Sequence, residues 1–381
     1  MDLSQLRNQI DEIDRELVAL FIKRMNVSAS VAEYKIKNSL PVLDASRERA
    51  LLSKVSELSG EEFESYTRTL YSSILDLSRS YQHKRMGNTS AFCKEITKAL
   101  ESTPKLFPER AIVACQGVEG AYSQIAAERL FKTPDIMFFN NWEKIFGAIE
   151  TGMCRYGVIP IENSTAGSVK KVYDLMVSHK FSIVKTVRIK IDHNLLVKKG
   201  TRLEDIKEIY SHEQAINQCS AFLSSLGPKV KITPVANTAT AAQMVAGSQR
   251  DDVASLSSRS CAEQYGLENL VSSVQDNGNN HTRFICIAKQ TEIYPGADRT
   301  SLMLVAPHKP GSLYRILARF NALGINLLKL ESRPIPDRDF EFMFYFDIEA
   351  SVYSPNLMEL LAELEQECEE FAYLGSYSEV I

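Results

Sequence analysis

The chain has 381 residues, with 44 Lys+Arg against 48 Asp+Glu, a net charge of −4, and 44% hydrophobic and 24% charged residues. At roughly 100–200 residues per domain this suits a soluble chain of two to four domains, and the charge gives no reason to expect a nucleic-acid partner, although a local basic cleft is compatible with an acidic total. No run approaches the ~18–20 apolar residues of a membrane span, the N-terminal segment has no apolar signal core, and the seven cysteines are never spaced C-x-x-C; no membrane contact, disulfide framework or structural zinc is expected, and the expected compartment is the cytoplasm.

Residues 1–86 hold one glycine, Gly60, and one proline, Pro41. Leu3, Leu6, Ile10, Ile13, Leu17 and Leu20 step by three and four, which predicts a helix from Leu3 to Lys37. At 1.5 Å per residue it would be about 50 Å long, too long to bury its stripe alone, so a partner chain is expected. The same steps carry the seam through Arg24, Val27 and Val31 to Lys35, with Arg7 flanking its start. A lone charge on an apolar face is costly unless paired. These residues alone fit snorkelling, pairing with Glu16 or Asp44, or gathering round a ligand. Pro41 ends the helix, and a second, after Asp44, contains Arg47 and Glu48. A third runs from Phe63 to Lys84 on a seam of Phe63, Tyr66, Leu70, Ile74, Leu77 and Tyr81, with Ser78 and Gln82 four apart on one face beside it. Four cations and a hydrogen-bonding face in one three-helix unit suit a small dianion.

Residues 87–109 read as a linker, with Gly87, Pro104 and Pro108 and a short helix near Phe92–Leu100. From 110 to 290 short apolar runs alternate with amphipathic stretches. Ala111–Ala114, Tyr156–Ile161 and Ser182–Val187 are predicted strands, Ser123–Phe131 and Trp142–Glu150 predicted helices, and a largely parallel α/β sheet follows. Gly117 to Ser123 opens a helix after a strand, which fits an anion-holding turn or a plain tight turn. Glu162-Asn163-Ser164-Thr165 ends a strand, where α/β sheets place ligands or where a helix is capped. Ser211-His212-Glu213-Gln214 has the same placement, with Gln218 one turn on, and Thr282-Arg283-Phe284 opens a strand after a polar loop. Taken singly, the Thr282 hydroxyl also fits a strand cap. Residues 290–299, with Pro295 and Gly296, form a second linker, and from Thr300 the order βαββαβ predicts a ferredoxin-like module. Gly311 and Ser312 start its first helix.

Arg7, Arg24, Lys35, D-x-x-R-E at Asp44–Glu48 and S-x-x-x-Q at Ser78–Gln82 together resemble the all-helical chorismate mutases. The resemblance implies an intertwined dimer, with Arg24 and the partner's Arg7 on the carboxylates and Lys35 and Gln82 on the ether oxygen. Glu48 and the backbone near Asp44 would orient the hydroxyl, and Arg47 and Ser78 would line the site. The Glu162–Thr165, Ser211–Gln214 and Thr282–Phe284 segments resemble prephenate dehydratase over residues 110–290. That family has two α/β subdomains round a cleft, like periplasmic binding proteins. It implies Thr282 as the catalytic hydroxyl, with Asn163, Ser164, Thr165, Ser211, Gln218, Arg283 and Phe284 at the substrate. Glu213 stands where that family usually has proline, and Gln116-Gly117-Val118 where it has Leu-Gly-Pro. Residues 298–375 resemble an ACT domain, which implies L-phenylalanine bound by Gly311, Ser312, Leu313, Asn326, Glu331 and Ser332. The whole reads as a homodimeric or higher-order bifunctional enzyme turning chorismate into prephenate and prephenate into phenylpyruvate, with no cofactor or metal. Arogenate in place of prephenate stays open on these residues. A sensor built on the same scaffold would be expected to have lost Lys35, Gln82 and Thr282, and all three stand.

Overall fold

The computed structural model describes residues 2–86, 91–335 and 341–381. Gly87 of the expected linker and Phe340 of an expected strand lie outside the described residues. No helix among the described residues is long and apolar enough to cross a membrane. The chain divides into two compact units, Met1–Lys94 with Met358–Glu367, and Glu95–Leu357 with Cys368–Ile381.

In the first unit, α1 (Leu3–Lys37) is closed at its start by a capping box of Asp2 and Gln5. The helix α2 (Ala45–Met86) is broken at Gly60, whose φ of 70° and ψ of 167° leave the helical region, so the three predicted helices are present. Only glycine takes that conformation without a steric penalty. The expected seam is exposed in the single chain. Val27 and Val31 are 60% and 39% exposed, whereas Ser28, Ala29 and Ala32 are buried. Arg24, Ser28 and Lys35 step by four and seven along α1 and share a face, and the Ser28 and Ser78 hydroxyls meet at 2.7 Å. Leu3, Leu6, Ile10, Ile13, Leu17 and Leu20 of α1 and Phe63, Tyr66, Leu70 and Leu77 of α2 are exposed.

Beyond α2, α3 (Ala91–Ser102) precedes β1 (Ile112–Gln116), α4 (Tyr122–Leu130), β2 (Asp135–Phe139), α5 (Trp142–Glu150), β3 (Tyr156–Asn163), β4 (Gly167–Ser168), α6 (Lys170–His179) and β5 (Ser182–Lys190). Next come β6 (Asn194–Val197), β7 (Glu208–Ser211), α7 (Glu213–Gln218), α8 (Ser220–Ser225), β8 (Lys231–Pro234), α9 (Thr238–Gly247), β9 (Val253–Ser257), α10 (Arg259–Tyr265) and β10 (Glu268–Val271). The chain then returns as β11 (His281–Ala288) and continues through β12 (Arg299–Val305), α11 (Ser312–Ala322), β13 (Asn326–Pro334), β14 (Phe342–Glu349), α12 (Pro355–Glu367), β15 (Glu370–Tyr377) and β16 (Glu379–Val380).

These strands make a seven-stranded sheet of order β16-β5-β11-β3-β1-β2 with β4 on β3, a five-stranded sheet of order β10-β6-β9-β7-β8, and a four-stranded sheet of order β13-β14-β12-β15. The first two are mixed rather than largely parallel. After β5 the chain leaves to build the second sheet and comes back as β11, antiparallel to both β3 and β5. Met303, Tyr345, Leu374 and Tyr377 of the four-stranded sheet share one core with Ile145, Ile159, Tyr173 and Ile285 of the seven-stranded half. The short strand β16 lies parallel to β5, so the C-terminal segment closes the edge of the larger sheet.

Candidate active sites

On the face where α1 meets α2, Lys35 Nζ donates to Gln82 Oε1 at 3.2 Å and to the Val42 carbonyl at 2.5 Å. Ser78 and Gln82 are buried. Arg24 is half-buried, and its Nη1 is a buried nitrogen with no hydrogen-bond partner among the described residues. A guanidinium N–H held out of water without an acceptor is prepared for an anion. Glu48 accepts from Arg79 Nη1 through both oxygens at 2.5 Å, and Arg79 also pairs with Asp76. Asp44 caps the start of α2 by accepting from the Arg47 amide at 2.9 Å. The structure thus brings Arg24, Lys35, Ser78 and Gln82 to one interface. It does not bring Arg7 or Arg47 there within one chain, since both are exposed; Arg7 lies 17 positions, about 25 Å, along α1 from Arg24. Arg79 was missed, although its spacing from Asp76 and Gln82 on one helix would have found it.

A cleft of about 460 Å³ lies beside the C-terminal ends of β1 and β3, lined by Asn163, Gln218, Thr282 and Phe284 together with Trp142, His193, His212 and Asn237. Among the described residues its lining includes no Asp, Glu, Lys or Arg. Thr282 pairs with Asn163 across β11 and β3, and Asn163 Nδ2 donates to Thr282 Oγ1 at 2.9 Å. Asn163 Oδ1 accepts from the amides of Thr165 and Ala166 at 3.0 and 2.9 Å, which fixes the orientation of its amide. Trp142 Nε1 is buried without a partner among the described residues.

Four expected substrate contacts do not line this cleft, the first being Thr165, whose hydroxyl donates to Asn163 Oδ1 at 2.7 Å. Successive side chains on a strand point to opposite faces, so Arg283, between Thr282 and Phe284, faces away from it. Its Nη2 forms a buried ion pair with Asp347 and reaches Glu162 at 3.4 Å. Burial opposes the charge on Arg283, but Asp347 more than offsets it and the guanidinium pKa is raised. Ser164, following Asn163, likewise lines a second cavity with Arg283, and its hydroxyl donates to the Asn279 carbonyl at 3.2 Å. The Ser211 hydroxyl is buried and donates to the Leu256 carbonyl at 2.8 Å.

These two sites carry no overlapping residues, and two families match accordingly: chorismate mutase type II over residues 6–83 and prephenate dehydratase over residues 113–292. The bifunctional chorismate mutase/prephenate dehydratase of Escherichia coli (strain K12) is 31% identical over 385 residues, covering 98% of this chain and 96% of that one. The chain belongs to the bifunctional chorismate mutase/prephenate dehydratase family. It is an enzyme of phenylalanine biosynthesis with both activities. Arogenate dehydratase 2 of Petunia hybrida is 34% identical over 314 residues, 78% of this chain and 79% of that protein. The solved structure of prephenate dehydratase in complex with L-Phe from Arthrobacter aurescens matches with a TM-score of 0.64 at 26% identity, over 70% of this chain and 89% of that one.

In this bifunctional chain the elements from Thr300 follow the expected order βαββαβ, but Glu331 departs from its expected place. Lys329, Glu331 and Arg333 alternate along one face of β13 and reach the dehydratase residues Tyr173, Ser168 and Asp174. Glu331 therefore faces away from Ser332, which is exposed on the other side, and does not join the expected set of Gly311, Ser312, Leu313, Asn326 and Ser332. Asn326 donates to Glu349 at 3.1 Å, and Ser312 is buried behind Gly311 at the start of α11, accepting from Arg315 at 3.1 Å. His193 and Trp142 were missed in the cleft, because a lone histidine or tryptophan in an apolar segment has no pattern that separates lining from core.

Proposed function

We propose that Arg24, Lys35, Ser78 and Gln82, completed by the partner's Arg7, perform the mutase step, and that Thr282 is the hydroxyl acid of the dehydratase step. Arg24 and the partner's Arg7 hold the two carboxylates, while Lys35 and Gln82 stabilise the negative charge that develops on the ether oxygen as the C–O bond breaks. The rearrangement needs a folded-over substrate and fixed donors but no nucleophile. Glu48, Asp44 and Arg47 orient the substrate hydroxyl or line the entrance. The exposed apolar stripe of α1 supports an intertwined dimer, since one chain leaves it uncovered.

In the second step the ring C–carboxylate bond breaks and CO₂ leaves. Its electron pair aromatises the ring as the ring hydroxyl departs with a proton from Thr282. Thr282 regains that proton from solvent, so prephenate and one proton yield phenylpyruvate, CO₂ and water. The observation that carries this reading is the Asn163 donor on Thr282 Oγ1. With its lone pair engaged, the threonine proton is left for the departing oxygen, and a cleft without charged side chains keeps that donor effective. Asn163, Gln218 and Phe284 form the supporting wall, and the Thr165 hydroxyl links Asn163 to Gln218.

Residues 298–375 serve as an ACT module that binds phenylalanine near Gly311, Ser312, Leu313, Asn326 and Ser332 and lowers dehydratase activity. Feedback requires phenylalanine to bind the less active state better. The L-Phe in the Arthrobacter aurescens structure supports the ligand class. The test is to incubate the purified chain with chorismate and to follow phenylpyruvate and CO₂ with and without phenylalanine. Both products should form, and added phenylalanine should slow them. Products unaffected by phenylalanine would remove the regulatory part, and accumulation of prephenate alone would remove the dehydratase part.

A further inference from the structure

We propose that His193 is a positioning residue for the dehydratase step: its Nε2–H heads a one-way chain of hydrogen bonds that ends on Thr282 Oγ1 and leaves the threonine proton for the departing hydroxyl. The inference rests on Thr282 being the acid.

The direction of the chain follows from two backbone amides. The amides of Thr165 and Ala166 both donate to Asn163 Oδ1, so that atom is an acceptor and Asn163 Nδ2 must donate, to Thr282 Oγ1 and to Asn280 Oδ1 at 2.8 Å. The Thr165 hydroxyl gives its proton to the same Oδ1 at 2.7 Å and is left to accept. Gln218 Nε2 supplies that bond at 2.7 Å, which turns Gln218 Oε1 toward Asn280 Nδ2, at 2.9 Å, and His193 Nε2, at 3.1 Å. An amide oxygen only accepts, so His193 Nε2 carries a proton. The donors therefore run from His193 through Gln218, Thr165 and Asn163 to Thr282. Aligned donors polarise one another and favour negative charge at the far end, where the hydroxyl leaves. His193 is 3% exposed, its Nδ1 has no partner among the described residues, and burial holds its pKa below the usual histidine value. The titratable groups beside it are engaged elsewhere. Asp192 accepts from Gln275 at 2.8 Å, and Tyr122, edge-on to the imidazole, donates to the Asp192 carbonyl at 2.7 Å.

The test compares His193→Leu, His193→Gln and Thr282→Val in the full chain, with prephenate as substrate and chorismate turnover as the folding control. His193→Leu should lower dehydratase kcat roughly tenfold to a hundredfold with KM changed less than about twofold, because the chain acts where charge develops only in the transition state. His193→Gln, which restores a donor, should recover most of that rate. In 15N-histidine-labelled wild-type protein at neutral pH the His193 signal, assigned by its loss in His193→Gln, should be that of a ring protonated at Nε2 alone. A Nδ1–H tautomer, or a wild-type kcat in His193→Leu while Thr282→Val is impaired, overturns the proposal and spares the role of Thr282. A wild-type rate in Thr282→Val overturns both.

Discussion

Thr282 and Arg283 are neighbours on β11, yet the alternation of a strand sends one into the cleft and the other into a buried ion pair with Asp347. Asp347 is fully buried and also accepts from Ser301 and Tyr345. Removing only Arg283 would leave that carboxylate without its countercharge, a loss of about 3–5 kcal/mol. Arg283→Ala should show it as a lower midpoint in denaturant, and Arg283→Met with Asp347→Leu should recover most of it. Equal stability of the single and double variants would show that the lost countercharge does not set the cost. In the mutase site Gln82 is neutral at any working pH, so chorismate turnover should vary little between about pH 6 and 8. Gln82→Glu should make it fall as pH rises and the new carboxylate ionises beside the breaking bond; a flat profile in that variant would remove Gln82 from the ether oxygen. Glu208 makes the acid limit of the fold visible. Hydrogen bonds from Lys231, Thr233 and Arg250 pull its pKa down to about 2. A carboxyl lowered on folding contributes stability above its unfolded pKa of about 4.3 and loses it as pH falls toward the folded value. Wild type should therefore be more stable than Glu208→Gln at pH 6, and the difference should shrink between about pH 4.5 and 2. A difference that stays constant over that range would contradict the assignment.

The three helices before Met86, the helix Trp142–Glu150 and the strands opening at Tyr156 and Ser182 are legible because their apolar periods are unbroken. What was not legible depends on partners remote in sequence. Which face of α1 meets α2 is set by Ser28, Ala29 and Ala32, small residues that a search for large apolar side chains passes over. The return of β11 between β3 and β5 makes the sheet mixed, and nothing in the local pattern of His281–Ala288 states its direction. The same limit applied to the sites. The family resemblance pointed to Thr282 and Asn163, whereas Ser164, Ser211 and Arg283 required the facing of each strand, and His193 required its neighbours in space. At Gly375, φ is 132° and a Cβ would collide with the Ile183 carbonyl of β5. Gly375→Ala should therefore destabilise by roughly 1–3 kcal/mol by separating β15 from β5, read as a drop in thermal midpoint; an unchanged midpoint would show that the strands can part without loss.

At the scale of the molecule two kinds of chemistry stand apart. One site, within the helical unit, brings the cations Arg24 and Lys35 together and holds an Arg24 nitrogen without a partner among the described residues. The other, within the α/β unit, has a lining without charged side chains and relies on neutral donors aligned on one hydroxyl. A pericyclic step calls for the first and the loss of a hydroxyl with CO₂ for the second, so either should fail while the other is kept. The exposed stripe of α1 adds a condition on assembly. Ile10→Glu with Ile13→Glu should yield a lighter species in sedimentation that loses chorismate turnover and keeps prephenate turnover, and full mutase activity in a monomer would exclude a shared site. The most direct measurement is a single progress curve on chorismate for Lys35→Ala and Thr282→Val, with chorismate, prephenate and phenylpyruvate quantified together. Lys35→Ala should leave chorismate largely unconsumed yet convert added prephenate at the wild-type rate, and Thr282→Val should consume chorismate normally and halt at prephenate. Phenylpyruvate formed from chorismate at wild-type rates by either variant would contradict the assignment of the two steps to these residues.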